Sequence, residues 1–490
     1  MLLPRRSTFA TGAQEFFSGK TRTQQLLWLF LAVLAIKAIL FAIDHRPGLF
    51  LGDSQSYLYT ALAGYIPDDR SFVYGYFLRY VALWPHSIFS MVAVQTALSA
   101  VSTWLLGFCL LRYGKARWSI VLVFTLLCAI EPLQLLYERF MMTETLATFL
   151  FCIYFLLCAE FVRAGKIYVI GSIQIVAVCL ISIRISFLPL ILILTVVLPF
   201  LRPRPQWHRV LSALVVAVVI SQCLLSGYRT WNGALLKREP AYLYRDGVLL
   251  LGAFSPIVKP EDYPITSQRK AIFDGLKADV PFPTYRVYQT WDDNGLCNRV
   301  MREVKDVQAA NAIAQQTAIH AAIRDPWGVL ELAAHTFREY MNTRRLRGFT
   351  YIDELRNDPF PPDLTQTLHD RLGFETTENN TETPVMRWHA HGLHWYQFIL
   401  WFCLLSPLAL LPVRRDLRRL TFLGVICCWC FMIGALLPVD HTIPRYLTTA
   451  AWIVLFLLAV ITNAGWSRFG EHRTKHEEGS KVSVASALPE

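Results

Sequence analysis

Charge is scarce in this sequence. Only 17% of its 490 residues are Asp, Glu, Lys or Arg, whereas 54% are hydrophobic, and the mean hydropathy is positive. A soluble chain carries nearer a quarter charged residues, so an ordinary soluble protein is excluded. Acidic residues are the scarcer sign, 36 against 47 Lys and Arg, for a net charge of +11. The basic residues sit in short clusters between apolar runs, with no continuous basic face and no nucleic-acid motif. That speaks against a nucleic-acid partner and fits anchoring to anionic lipid headgroups. A disulfide framework is missing too, because only Cys297 of the eleven cysteines falls inside the long polar region. The others pack as small hydrophobes, and Cys427, Cys428 and Cys430 have no partner ligands nearby for a metal. No small-x-small cleavage site follows the first apolar run, which therefore reads as an anchor and not as a signal peptide. No internal repeat is visible.

What the chain does have is long apolar runs, near the roughly 20 helical residues that cross a bilayer. Ten are expected as spans, at about 26–43, 87–111, 118–137, 145–162, 167–183, 187–201, 210–227, 394–412, 420–437 and 447–465. With the N-terminus inside, the short inner loops carry twenty basic residues: Arg5, Arg6, Lys20 and Arg22; Arg112, Lys115 and Arg117; Arg163 and Lys166; Arg202, Arg204 and Arg209; Arg414, Arg415, Arg418 and Arg419; Arg468, Arg473, Lys475 and Lys481. The short outer loops carry six: Arg46, Arg70, Arg79, Arg139, Arg184 and Arg445. That imbalance sets the orientation.

The expected fold is an all-α polytopic membrane protein of about ten transmembrane helices. A cytoplasmic tail (1–25) precedes the first seven spans (26–227), whose first outer loop (44–86) is aromatic-rich and suits interfacial helices. A periplasmic, mainly helical soluble region (228–393) comes before the last three spans (394–466). Its middle, about 302–347, reads as helix broken at Arg324-Asp325-Pro326, where proline starts a helix but does not continue one. The stretch 353–386 reads as exposed loop. A disordered cytoplasmic tail (467–490) closes the chain. The expected address is the inner (plasma) membrane, with both termini cytoplasmic.

Ionisable residues at membrane depth are functional candidates by default. Asp53, Glu131, Glu138, Arg139, Glu144, Arg184, Asp440, His441 and Arg445 all fall at the outer ends of spans. The structural alternative is that helix ends simply carry charge. Asp53, in Gly52-Asp53-Ser54-Gln55-Ser56-Tyr57, either caps the helix that follows or stands as a carboxylate able to take a proton. Arg184 and Arg445 either snorkel to water or bind phosphate, which their fork of donors suits. Lys37, inside the first span, faces the bundle interior or reaches towards the outer surface. His389, His391 and His394 read as an interfacial collar or as a metal site, which leaves a divalent metal open as a cofactor. The sequon Asn379-Asn380-Thr381 matters only in an endoplasmic reticulum lumen.

Together these elements resemble the GT-C superfamily of polyprenyl-phosphate-sugar-dependent glycosyltransferases, the group of the protein O-mannosyltransferases and the aminoarabinose transferase of lipid A. The resemblance rests on Asp53 soon after the first span and on Thr143-Glu144-Thr145-Leu146 opening the fourth. It rests further on Arg184 with Pro189, on Asp325-Pro326-Trp327 and on Arg445-Tyr446, spread over roughly residues 45–450. A single acidic residue stands where several members have a pair, and the usual Arg-Pro is loosened to Arg184-Ile185-Ser186-Phe187-Leu188-Pro189. The resemblance implies a hexosyl- or pentosyltransferase of the cell envelope that moves sugar from a polyprenyl-phosphate donor to a glycan, lipid or protein acceptor. It implies Asp53 as base, with Glu144, Arg184 and Arg445 at matching positions. Arg139, His441 and Tyr57, at the same face, are expected beside them as substrate-binding residues. The alternatives are a transporter or flippase, a polysaccharide polymerase, and a non-catalytic subunit whose outer domain binds a partner.

Overall fold

The computed structural model describes residues 22–50, 52–203, 206–277, 280, 284–354, 361–376 and 382–485. Most of the expected N-terminal tail and the sequon at Asn379 lie outside them. The described chain is helical throughout, with a single isolated β-bridge between Gly48 and Phe140.

The first apolar run forms α1, Arg22–Ile43, whose buried residues are Leu29, Val33 and Lys37. A four-residue spacing makes one narrow stripe, so a single face of α1 packs inward and the rest stays exposed, as contact with lipid requires. Two short helices follow, α2 (Asp53–Ala63) and α3 (Val73–Leu78), then α4 (Ile88–Arg112) and α5 (Trp118–Ala129). The expected span 118–137 is interrupted, because Pro132 cannot continue a helix and holds Glu131 in extended backbone. The chain restarts as α6 (Pro132–Tyr137), then α7 (Glu144–Ala164), α8 (Tyr168–Ile183), α9 (Leu188–Val197) and α10 (Trp207–Leu236).

The middle region contains α11 (Asp246–Phe254), α12 (Arg269–Phe273), α13 (Thr284–Trp291), α14 (Leu296–Val304) and α15 (Val307–Arg324). Of these, α11, α12, α14 and α15 share a separate small core that includes Leu251, Tyr263, Ile272, Cys297 and Val300. The break at Asp325 occurs as expected: its carboxylate accepts from Gly328 N at 2.8 Å and caps α16 (Pro326–Met341). Then come α17 (Thr343–Glu354), α18 (Pro362–Leu372) and α19 (Pro384–His391). Two of these correct the loop expected over 353–386. Leu364, Leu368 and Leu372, four apart, give α18 a buried apolar stripe that outweighs its polar composition.

The last helices are α20 (Leu393–Leu405), α21 (Arg418–Leu436) and α22 (Thr448–Ala485). The polar stretch after Ser467, expected without regular structure, continues α22 to Ala485. A helix already nucleated by a span propagates readily through Glu, Arg and Lys. Among the described residues seven helical segments are long and apolar enough to cross a membrane: α1, α4, α7, α10, Leu393–Leu410, α21 and Pro444–Trp466. Three expected spans correspond to shorter apolar helices, Trp118–Ala129, Tyr168–Ile183 and Ile185–Leu201. The last span is the most enclosed; Trp452 and Phe456 stack at 6.2 Å and meet Phe155 of α7 edge-on.

Candidate active site

Asp53 opens α2, but it does not cap it. Gly52 precedes the helix with φ of 86°, a conformation that glycine adopts without strain, and no side chain caps the first turn. The capping role suggested for Asp53 is therefore replaced by an ionic one. Its Oδ1 accepts from Arg70, and its Oδ2 from Arg445 Nη1 at 2.7 Å. Ser54 instead ties down the helix start, accepting from Phe50 N at 2.8 Å and donating to Met141 O at 3.0 Å.

The other charges arrive from distant segments. Glu144 begins α7 and is almost wholly buried. It accepts from Arg184 Nη1 at 2.7 Å and lies 3.7 Å from Arg445 Nε. Arg184 ends α8 with extended backbone, which turns its side chain off the helix axis towards Glu144. Arg445 is the second residue of the short 3-10 turn Pro444–Leu447, where proline fixes the backbone just before the last span. Its guanidinium lies over the rings of Phe50 and Tyr446, at 5.1 and 5.4 Å.

Asp440 and His441 complete the set. His441 Nδ1 lies 2.6 Å from Asp440 Oδ1, and Trp291 Nε1 of α13 donates to Asp440 Oδ2 at 2.5 Å. Arg286, also on α13, donates to Val439 O at 2.8 Å and holds the same loop. The middle region thus positions a loop that belongs to the apolar bundle.

These groups line one cavity of about 560 Å³. Asp53, Tyr57, Arg70, Glu144, Arg184, Asp440, His441 and Arg445 face it, and Ile181, Ile183, Ile185, Tyr228, Leu243 and Leu249 form an apolar wall. Polar groups converging on one side of a largely apolar cleft are the usual form of a ligand site.

Burial would push the Asp53 carboxyl up, but the charges of Arg70, Arg445 and Arg184 outweigh it and hold Asp53 below the ordinary carboxylate range. Asp440 behaves alike: burial opposes ionisation, and His441, Trp291 and Arg445 overcome it. Burial first, then the charge of Asp53, raises the Tyr57 phenol, which stays protonated and can donate. The cavity therefore holds fixed anions and fixed cations side by side.

Six of the seven residues singled out from the sequence meet here; Arg139 does not. It is buried elsewhere, donating to Glu138 Oε2 at 2.6 Å and to the carbonyls of Leu135, Leu40 and Asp44. With its donors committed to protein acceptors, it works as a structural clamp and not as a ligand group. Lys37 faces the interior and pairs with the same Glu138. The histidine run does not converge either. His389 packs against Tyr396 at 5.2 Å and burial pushes it down to about 3, His391 bonds to Arg387 O, and His394 lies beside Gln397. Among the described residues no group of three or more His, Cys, Asp or Glu could hold a metal ion.

Arg70 and Trp291 were not singled out from the sequence. Arg70 had a legible signal, being an arginine in a short loop expected on the outer side, where basic residues are disfavoured. Trp291 had none, because it is brought in by packing of the middle region.

The fold and the site define an all-helical, membrane-embedded protein with a charged cavity at one end of its bundle. No family model, curated protein or solved structure matches the chain.

Proposed function

We propose that this protein is an integral membrane glycosyltransferase that moves a hexosyl or pentosyl group from a polyprenyl-phosphate carrier to an acceptor hydroxyl, with inversion. The observation that carries the reading is the juxtaposition of Asp53 with Arg70, Arg184 and Arg445 beside an apolar wall. A carboxylate suits proton abstraction, guanidinium forks suit a phosphate, and the apolar wall suits the lipid that carries it. The positive-inside imbalance supports a proposed orientation with this cavity and the middle region on the periplasmic or extracellular side of the inner (plasma) membrane and both termini cytoplasmic.

The donor enters from the bilayer with its phosphate on Arg184 and Arg445. Asp53 is held by Arg70 and Arg445, which keeps it ionised but weakly basic. A phosphate that competes for Arg445 loosens that hold, so donor binding raises the basicity of Asp53 when a base is needed. Asp53 then takes the acceptor proton as the acceptor oxygen attacks the anomeric carbon opposite the phosphate. The arginines stabilise charge on the departing phosphate. Tyr57 and Glu144 position the ligands.

Asp53→Asn keeps the shape and removes the base. In purified protein it should lower kcat by about 100-fold or more, the usual scale of a lost general base. Sugar transfer at near wild-type rate would show that Asp53 is not the base.

A further inference from the structure

Asp53 accounts for one proton. The same cavity holds a second proton-transfer device that the scheme above leaves unused. The Asp440 carboxylate can only accept, so at 2.6 Å the proton between it and the His441 ring sits on Nδ1. Trp291 Nε1 takes the other Asp440 oxygen at 2.5 Å, and Arg286 fixes the adjacent Val439 carbonyl at 2.8 Å. The carboxylate is thus held from both sides and fixes the ring in turn, with Nε2 on its opposite edge. The Phe349 ring lies 6.1 Å from the imidazole. A carboxylate set behind an imidazole favours the imidazolium and settles which nitrogen exchanges protons.

Resting on the glycosyltransferase reading, we propose that His441 is the general acid of the reaction, protonating the phosphate oxygen as it leaves, and that Asp440 is its positioning residue. The acceptor oxygen bonds to the anomeric carbon and its proton passes to Asp53. The bond from that carbon to the phosphate oxygen breaks with its electron pair going to oxygen. His441 Nε2 gives its proton to that oxygen, so polyprenyl phosphate departs as a monoanion. Asp53 then releases a proton to water and His441 takes one up.

Several charged and titratable groups share the cavity with His441. They are Asp440, Arg445 and Tyr446 from its own segment, Asp53, Tyr57, Asp69 and Arg70 from the first loop, Glu144 from α7, Arg184 from α8, and Tyr228 and Tyr242 beyond α8. Arg286 of α13 approaches from behind the loop. Asp53 and Asp440 sit below the ordinary carboxylate range, so both stay ionised across neutral pH. An alkaline activity limb that disappears when His441 is replaced then belongs to its imidazole.

The test is transfer by the purified full-length protein between pH 5 and 9, with a synthetic polyprenyl-phosphate sugar as donor. Wild type should lose kcat as pH rises through the alkaline limb. His441→Gln should lower kcat about 100-fold at pH 6.5 and abolish that limb. Asp440→Asn should shift the limb to lower pH, because the imidazolium loses its counterion, and this variant serves where His441→Gln fails to fold. A His441→Gln protein with wild-type kcat and an intact alkaline limb, or an Asp440→Asn protein with an unshifted limb, overturns the proposal and leaves the transferase reading standing. A wild-type protein that transfers no sugar from a lipid-phosphate donor removes both.

Discussion

At the scale of single residues, the exceptions to a statistical rule carried the information. Six arginines sit in short loops expected on the outer side, where the positive-inside rule would keep basic residues few. Three of them, Arg70, Arg184 and Arg445, converge on Asp53 and Glu144. Arg79 instead donates to Ala61 O at 2.8 Å and holds the end of α2, and Arg139 clamps the loop before α7. Arg70, Arg79, Arg139, Arg184 and Arg445 thus each have a specific partner. Glu131 shows the same on the acidic side. Burial pushes it up to about 7, against hydrogen bonds from Gln134 N at 2.6 Å and Trp395 Nε1 at 2.9 Å. Its folded value lies above its ordinary value of 4.5. The folded state therefore binds more protons between those two values, and stability falls as pH rises through that window. Glu131→Gln should abolish this decline, so the melting temperature of the variant should gain on wild type from pH 5 to pH 8. The difference should be at most about 3 kcal/mol. Parallel melting curves for the two proteins across that range would refute this.

At the scale of elements, the short helices of the first loop hold the site together. A Cβ on Gly75 would run into the Thr60 side chain and the Tyr57 carbonyl. Glycine there lets α3 lie directly on α2, which carries Asp53 and Tyr57. Tyr57 meets Tyr74 edge-on at 4.8 Å across this contact, and Tyr74 OH donates to Gln95 Oε1 of α4 at 2.9 Å. Gly75→Val should destabilise the protein by about 1–3 kcal/mol through overpacking, and should reduce the proposed sugar transfer by displacing Asp53. Thermal unfolding and the transfer assay measure the two effects separately, and a variant with wild-type values for both would show that this contact is dispensable. The helix boundaries teach a related lesson. Pro132 broke an expected span, and three leucines at four-residue spacing made a helix where polar composition suggested loop. Periodicity and proline placement predict better than average polarity, because burial and backbone geometry act residue by residue.

At the scale of the molecule, the charged cavity lies where α2, α7, α8 and the loop before the last span meet, covered by α13 of the middle region. The orientation proposed for it has a direct test. Asn294, exposed in the middle region, and Arg414, exposed in the loop between α20 and α21, belong to opposite sides under this topology. In a background with its exposed native cysteines replaced, Asn294→Cys in intact cells should react with a membrane-impermeant maleimide. Arg414→Cys should react only after permeabilisation. The reverse pattern would invert the topology and put the cavity on the cytoplasmic side.

The amino-acid sequence by itself determined that the chain is helical and membrane-embedded, since long apolar runs with few charges admit little else in a bilayer. It also determined which residues deserved suspicion, because a charge among apolar neighbours is costly wherever it ends up. Tertiary structure alone decided what those charges do. Asp53 and Arg445 are 392 positions apart and Arg184 and Glu144 are 40 apart, yet each pair lies 2.7 Å apart in space. Arg139, next in sequence to Glu138, is instead held by the carbonyls of Leu40 and Asp44 at the end of α1. Helical periodicity sets which face a side chain takes. Packing between helices sets which other charge it meets, and pairings at that sequence distance leave no local mark.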